Sequence, residues 1–287
     1  MAARPLKTLF VYKRAGIDTA EIRGRQIAEA LGCDSVSLPE LTPEVARRYE
    51  ALLYVKRIPG TRVLESIRAT GVRQFYDPLD HYAWREIGRG APFLDAFIGA
   101  NLTHAVYLHQ RYGRPAVEIP HHHCNFDEVR IPDGRTPPTL GFISTPDHWP
   151  ENLRMVRKLG LPVTTNVSRK GEGGFGRLIE AYLSVDVGFT WRMKPDKLRF
   201  NCANKLTNFM SFGIPSVHTP ESGFLQYGLH GETCFYAHTK KDFVDLVWYL
   251  AEDLDLRRRM GDACVEAARP FHISRIAERY REFLSGF

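Results

Sequence analysis

Apolar runs alternate with amphipathic stretches through the first half of the chain. The run 6–12 (LKTLFVY) predicts a buried strand, and 19–31 has its apolar residues at helical spacing before a glycine, which predicts a helix. The same reasoning predicts a helix at 62–70 and further strands at 51–55, 73–76, 96–98 and 116–119. Strands that alternate with helices in this way are typical of a parallel sheet covered on both faces.

A segment rich in proline and glycine, 130–138, predicts a linker to a second pattern of the same kind. Beyond it we predict strands at 139–143, 161–167, 185–190 and 215–218, and helices at 150–159, 176–183, 204–212, 241–251, 255–268 and 272–287. The sequence therefore predicts an α/β protein of two Rossmann-like domains, 1–133 and 134–287, with terminal helices. We expect the domains to face each other across a cleft, because ligands of open α/β sheets bind at the carboxyl ends of the strands.

Composition narrows the class of protein. Of 287 residues, 44% are hydrophobic and 25% are charged, as in ordinary globular domains. No apolar run is long enough to span a bilayer and the first residues lack a signal sequence, which favours a cytoplasmic protein. Five cysteines without a C-x-x-C pair fit reduced thiols. The net charge of +6 favours partners that carry phosphate, although a basic surface also serves solubility alone.

Positive charge is concentrated directly after the predicted strand 185–190. The cations are Arg192, Lys194, Lys197, Arg199 and Lys205, and the last of them falls in the first turn of the next predicted helix. Cations beside a helix N-terminus attract a diphosphate. A solvated basic loop is the alternative that charge alone allows.

Residues 204–217 add a more specific pattern. Asn204-Lys205-Leu206 and the stretch 210–217 (MSFGIPSV) resemble the helix, turn and strand motif of GT-B glycosyltransferases, which have two Rossmann-like domains. The resemblance continues through 221–223 (ESG) and 229–233 (LHGET), is good over 134–287 and is weaker over 1–133. It implies a hexosyltransferase-type enzyme that uses a UDP- or GDP-linked sugar donor and needs no further cofactor and no metal ion.

The resemblance also implies which residues bind the sugar donor. They are Ser144, Thr145, Arg192, Lys194, Lys197, Asn204, Lys205, Asn208, Glu221, Ser222 and Gly223. The chain departs from the family where retaining members often carry two glutamates eight positions apart, because Phe200 and Asn208 occupy those places. This departure leaves room for a relative that has the fold without the activity.

Two further groups of polar residues are candidates for the acceptor side of the reaction. Among His121, His122 and His123, one or two are expected to face the cleft as an acceptor contact or a proton carrier, while the others pack or hydrogen-bond locally. A zinc site formed by these histidines with Cys124 is the less favoured alternative, because consecutive strand residues point to opposite faces. Asp80 and His81 follow a predicted strand and are candidates for a general base that deprotonates the acceptor hydroxyl. Capping of a turn around Pro78 explains the aspartates of this segment equally well.

Together these observations predict the transfer of a sugar from a nucleoside-diphosphate sugar to a hydroxyl acceptor. The acceptor stays open among a glycan, a lipid-linked glycan, a protein and a modified nucleobase. Two alternatives stand beside this prediction: a non-catalytic relative, and a protein that binds or modifies nucleic acid, because aromatic and arginine side chains are mixed through 73–115.

Overall fold

The chain divides into two compact units. The computed structural model describes residues 6–13, 20–79, 83–130, 134–144, 149–165, 174–192 and 198–287. Unit 1 comprises Met1–His121, Phe200–Cys202 and Ile273–Phe287, and unit 2 comprises His122–Arg199 and Ala203–His272. The predicted division after residue 133 differs from this one in three places: residues 122–133 lie in unit 2, whereas residues 200–202 and the C-terminal helix lie in unit 1.

Parallel strands and helices alternate through both units. Within the described residues the strands are β1 (Thr8–Tyr12), β2 (Asp34–Ser37), β3 (Ala51–Val55), β4 (Arg73–Asp77), β5 (Ala96–Gly99), β6 (Ala116–Glu118), β7 (Leu140–Phe142), β8 (Val163–Thr165), β9 (Val187–Thr190), β10 (Ser216–His218) and β11 (Cys234–Tyr236). The α-helices are α1 (Gln26–Leu31), α2 (Pro43–Ala46), α3 (Thr61–Arg68), α4 (Trp84–Gly90), α5 (Leu102–Tyr112), α6 (Trp149–Val156), α7 (Gly174–Leu183), α8 (Asn204–Ser211), α9 (Ser222–Tyr227), α10 (Lys240–Glu252), α11 (Leu254–Ala268) and α12 (Ile273–Ser285). A π-helix, Ala20–Arg25, leads directly into α1.

Unit 1 is built on a six-stranded parallel sheet with the order β2-β1-β3-β4-β5-β6. Strands β1, β3 and β5 are buried along their whole length, which is why they are continuous apolar runs in the sequence. Strand β2 has the sequence DSVS and is partly exposed. The apolar pattern did not predict β2, because an edge strand of this kind needs few apolar residues.

The C-terminal helix α12 completes the core of unit 1. Its residues Ile276, Tyr280 and Phe283 recur at helical spacing and are buried in one cluster with Phe10 and Phe75 of the sheet. The ring centroids of Phe75 and Phe283 are 5.1 Å apart. Helix α12 therefore belongs to unit 1, although all of unit 2 precedes it in the sequence.

Unit 2 is built on a five-stranded parallel sheet with the order β11-β10-β9-β7-β8. Helix α8 packs closely on β9, because a Cβ atom added at Gly188 would lie only 2.6 Å from the Phe209 ring. The chain leaves α8 through Gly213, whose φ of +72° is a conformation that favours glycine. These two glycines place the first turn of α8 beside the carboxyl ends of the neighbouring strands.

In each sheet the first strand lies between the second and the third: β1 between β2 and β3, and β7 between β8 and β9. Such a switch in strand order opens a crevice at the carboxyl ends, where ligands of α/β sheets bind. The prediction of an α/β protein with two Rossmann-like domains is confirmed. No helix in the described residues is long and apolar enough to cross a lipid bilayer.

Candidate functional site

The carboxyl ends of β9 and β10 are tied together by side-chain and backbone hydrogen bonds. The backbone N–H of Arg192 donates to Thr219 Oγ1 at 2.8 Å, and the backbone N–H of Thr219 donates to the Thr190 carbonyl oxygen at 3.1 Å. Both threonines are buried. These bonds fix the backbone at the start of the basic segment and at the approach to Glu221.

Arg192 and Glu221 form an ion pair at this edge of the sheet, with 2.8 Å between Nη1 and Oε2. The side chain of Glu221 is 1% exposed and that of Arg192 is 24% exposed. Burial raises the pKa of Glu221, although the positive charges of Arg192 and Lys205 pull it down. Three groups predicted to bind the donor, Arg192, Lys205 and Glu221, are therefore close enough to act on each other's charge.

His218, the last residue of β10, is a buried member of the same cluster that the sequence did not single out. Its ring lies 4.6 Å from the Phe224 ring and its Nε2 lies 2.7 Å from Ser216 Oγ. Burial, together with the positive charges of Arg192 and Lys205, lowers the pKa of His218 to about 3. The imidazole is therefore neutral at physiological pH. In the sequence, the one indication of a role for His218 is its position as a polar residue at the end of a buried strand.

Three buried polar atoms of this cluster have no hydrogen-bond partner in the part of the chain that the structure describes. They are Thr190 Oγ1, His218 Nδ1 and Glu221 Oε1. Buried polar groups in folded proteins are almost always paired, so unpaired ones call for a specific explanation. Three of them within one cluster indicate a place where a ligand supplies the missing partners.

The N-terminus of α8 lies next to this cluster and adds a favourable field for an anion. Its N-cap residue is Ala203, which has no side-chain oxygen to accept from the first helical amides. Asn204 and Lys205 form the first turn. An N-terminus of this kind, with a lysine in its first turn, favours a phosphate group.

The remaining residues predicted to bind the donor fall into three groups. Ser222 and Gly223 open α9 directly after Glu221, and Ser144 lies two positions beyond the end of β7. Asn208 is occupied inside unit 2, because its Oδ1 accepts from the Cys124 backbone N–H at 2.9 Å and its Nδ2 donates to the Tyr182 hydroxyl at 3.2 Å. The predicted residues that lie outside the described part are Thr145, Lys194 and Lys197, together with the proposed bases Asp80 and His81.

The three histidines among which an acceptor contact was predicted are all buried, each with 3% of its surface exposed. His121 ends the first segment of unit 1, and His122 and His123 begin unit 2. Burial, with help from His272 and His122, lowers the pKa of His123 to about 4. No group of three or more His, Cys, Asp or Glu side chains is placed to hold a metal ion in the described ranges. The acceptor role of the histidines stays a prediction.

Solved structures with the same fold are numerous. HepE from Anabaena, solved with UDP and glucose, matches 98% of this chain and 100% of its own, with a TM-score of 0.70 and 13% identity. A glycosyltransferase from Rickettsia africae matches 97% of this chain and 98% of its own, with a TM-score of 0.70 and 11% identity. Sucrose-phosphate synthase from Thermosynechococcus elongatus matches 98% of this chain and 100% of its own, with a TM-score of 0.66 and 11% identity.

Sequence comparison finds less than comparison of structures: no protein-family model and no curated protein matches this chain. At identities of 11–13%, the structural matches establish the fold. They agree with the motif at 204–217, which was identified from the sequence alone. The chain has the fold of the GT-B glycosyltransferases.

Proposed function

We propose that this protein transfers a sugar from a nucleoside-diphosphate sugar to a hydroxyl acceptor. The observation that carries the proposal is the cluster of unpaired buried polar atoms at the carboxyl ends of β9 and β10, beside two cations and a helix N-terminus. The similar folds add support, because HepE was solved with UDP-glucose and the pneumococcal O-GlcNAc transferase GtfA with UDP and GlcNAc.

Each group has a distinct task in this proposal. Arg192, Lys205 and the N-terminal amides of α8 would bind the diphosphate and stabilise the negative charge that it gains as it leaves the sugar. These positive groups supply the charge that a metal ion supplies in other enzymes, so we propose transfer without a metal. UDP is the proposed nucleotide, because it is the one found in the similar folds.

Glu221 would recognise the donor through its unpaired oxygen. Oε2 is held by Arg192 at 2.8 Å, whereas Oε1 is buried without a partner in the described residues. A carboxylate oxygen only accepts hydrogen bonds, so Oε1 would receive one from a ribose or sugar hydroxyl of the donor. His218 Nδ1 and Thr190 Oγ1 would complete the polar lining.

The first test is binding of UDP, measured by calorimetry and by the melting temperature with EDTA or with Mg²⁺. A ligand present at about 100 times its Kd stabilises the native state by about 2.7 kcal/mol, so the melting temperature rises. We expect Lys205→Ala to raise the Kd for UDP by about tenfold or more, because a charge-assisted hydrogen bond contributes about 1.5–3 kcal/mol.

Lys241→Ala is the matched control, because Lys241 is 83% exposed and pairs with Asp245 on the surface of α10. It removes the same charge and should leave the affinity for UDP unchanged. Equal affinities of the Lys205→Ala variant and the wild type would count against the site. Binding of UDP without hydrolysis or transfer of UDP-glucose would favour the non-catalytic relative, which the Phe200 and Asn208 departure left open. The nucleic-acid alternative gains no support from the similar folds or from this site.

A further inference from the structure

Unit 1 has its own buried polar cluster at the carboxyl edge of its sheet. Arg23, from the π-helix that precedes α1, is 1% exposed and donates from Nε to Asp77 Oδ2 at 2.5 Å. The Tyr280 hydroxyl donates to the same carboxylate oxygen at 3.0 Å, and Arg23 Nη1 donates to the Ile119 carbonyl oxygen at 2.9 Å. Arg23 Nη2 is buried and has no partner within the described ranges.

The order of the strands places His104 beside this guanidinium. Asp77 ends β4 and Ile119 follows β6, so Arg23 reaches across the carboxyl end of β5, the strand between them. Ala100 directly follows β5, and its backbone N–H donates to His104 Nδ1 at 3.3 Å. The charge of Arg23 acts together with burial to lower the pKa of His104 to about 3, which agrees with this proximity.

The protonation of His104 follows from its hydrogen bond. A neutral imidazole carries its proton on one nitrogen, and Nδ1 accepts from Ala100, so the proton is on Nε2. Nε2 is buried and has no partner in the described residues, which makes it a second unpaired donor. The Phe200 ring stacks on the imidazole with 5.1 Å between centroids and 27° between planes, so the direction of the Nε2–H bond is fixed.

Gln26 supplies an unpaired hydrogen-bond acceptor. It lies three residues after Arg23, where the π-helix ends and α1 begins, so the two side chains leave the backbone within one helical turn of each other. Its Oε1 is buried, and no donor reaches it from the described part of the chain. The unpaired buried atoms of unit 1 therefore include two donors, Arg23 Nη2 and His104 Nε2, and one acceptor, Gln26 Oε1.

The charges of the cluster decide which ligand fits it. Asp77 already balances Arg23, His104 is neutral and Gln26 is uncharged, so a buried anion would have no counter-charge of its own. A hydroxyl group both donates and accepts, and it is neutral. We propose that Arg23, His104 and Gln26 form a subsite for the hydroxyl groups of an uncharged carbohydrate.

This inference rests on the proposed transfer activity in one respect, because the carbohydrate bound in unit 1 would be the acceptor. It names the acceptor class as a neutral sugar rather than a phosphorylated or acidic one. Burial strengthens hydrogen bonds to Arg23 and His104, so a few bonds select a neutral ligand effectively.

The test compares binding of neutral methyl glycosides, of gluco, galacto and manno configuration, with binding of the uronic acids of the same configuration. Saturation-transfer NMR and calorimetry on the full chain give the affinities without any donor. We expect at least one methyl glycoside to bind, and its uronic acid to bind at least tenfold more weakly. Failure of every methyl glycoside to bind, or a uronic acid that binds as tightly as its neutral partner, would overturn the proposal.

Two substitutions of His104 separate the hydrogen bond from the packing. In His104→Gln the amide nitrogen takes the place of Nε2 and keeps the donor, whereas in His104→Asn the amide oxygen takes the place of Nδ1 and the Nε2 donor is lost. We expect glycoside affinity within about threefold of wild type for the glutamine variant and a loss of about tenfold for the asparagine variant. Equal affinities of the two variants would contradict the assignment.

Gln26→Met, which keeps the shape of the side chain and removes the acceptor, tests the subsite again if the asparagine variant does not fold. It should weaken glycoside binding severalfold, and unchanged binding would count against the subsite. A crystal structure with an ordered water molecule on all three atoms that stays in place when glycoside binds would overturn it too. UDP affinity measured in parallel keeps the proposals apart, since loss of glycoside binding with UDP binding intact rejects this subsite alone.

Discussion

The polar clusters at the carboxyl edges of the two sheets differ in net charge and in how far their ion pairs are buried. In unit 1, Arg23 and Asp77 are both buried and balance each other, so the cluster that they form is neutral although it is polar. In unit 2, Arg192 is partly exposed, and the positive charges of Arg192 and Lys205 both act on the one carboxyl group of Glu221. The cluster therefore keeps an excess of positive charge. The two clusters therefore differ in net charge, in keeping with the proposals of a neutral polyol for unit 1 and a diphosphate for unit 2.

The largest expected difference between the two edges is in stability. We expect Asp77→Asn to lower the free energy of unfolding by about 3–5 kcal/mol, because Arg23 then stays buried without its counter-ion. For Glu221→Gln we expect a change within about 1 kcal/mol, because burial already disfavours the charge of Glu221 and Arg192 reaches solvent. Urea denaturation followed by circular dichroism measures both, and equal losses would show that the two ion pairs do not differ.

Acid should weaken both units through histidines that are buried as neutral groups. The pKa values of His104 and His218 are lowered to about 3 from an ordinary 6.5, so the unfolded chain binds protons that the folded chain does not. Their contribution is fully present above pH 6.5 and is lost as the pH falls towards 3. Between pH 7 and pH 5 each histidine should cost about 2 kcal/mol of unfolding free energy.

Single substitutions sharpen this comparison of the units. His104→Gln in unit 1 and His218→Gln in unit 2 each remove one proton-binding group. Each substitution should therefore reduce the loss of unfolding free energy between pH 7 and pH 5 by about 2 kcal/mol, as measured by urea denaturation at the two pH values. A variant whose acid sensitivity equals that of the wild type would show that its histidine is protonated in the folded protein.

The smallest expected effect is the response of ligand binding to salt. Raising NaCl from 50 to 500 mM should increase the Kd for UDP by roughly threefold or more, because the diphosphate is held by charges that reach solvent. The Kd for a methyl glycoside should stay constant, because the cluster in unit 1 and its ligand are neutral. Calorimetric titrations at both salt concentrations measure this, and parallel changes for the two ligands would argue for one charged site.

Much of the fold could be predicted from the sequence because its buried strands carry their signal locally. The predicted strand 51–55 coincides with β3, which is buried along its whole length. Two strands were not found: β2 is a polar edge strand, and β11 (CFY) is apolar but only three residues long. The C-terminal helix was predicted, but its place in unit 1 was not. Its contacts are with residues far earlier in the chain, and such contacts produce no local sequence pattern.

The same distinction between local patterns and long-range contacts applies to the candidate sites. Arg192, Lys205 and Glu221 were predicted because they lie within a motif or a run of charge. The sequence did not single out Arg23 and His104, because their proposed roles depend on partners far away in sequence, such as Asp77 for Arg23. Whether a buried atom has a hydrogen-bond partner depends on the folded chain, so no pattern of residue types predicts it.

The return of α12 to unit 1 has a consequence for biosynthesis. Ile276, Tyr280 and Phe283 fill the core of unit 1, and the Tyr280 hydroxyl bonds the Asp77 carboxylate. Unit 1 therefore cannot finish folding while the ribosome is still translating unit 2, although most of it is synthesised first. Unit 2 should be the earlier of the two to reach its native state on the nascent chain, and the polar cluster of unit 1 should form only once the last helix has left the exit tunnel.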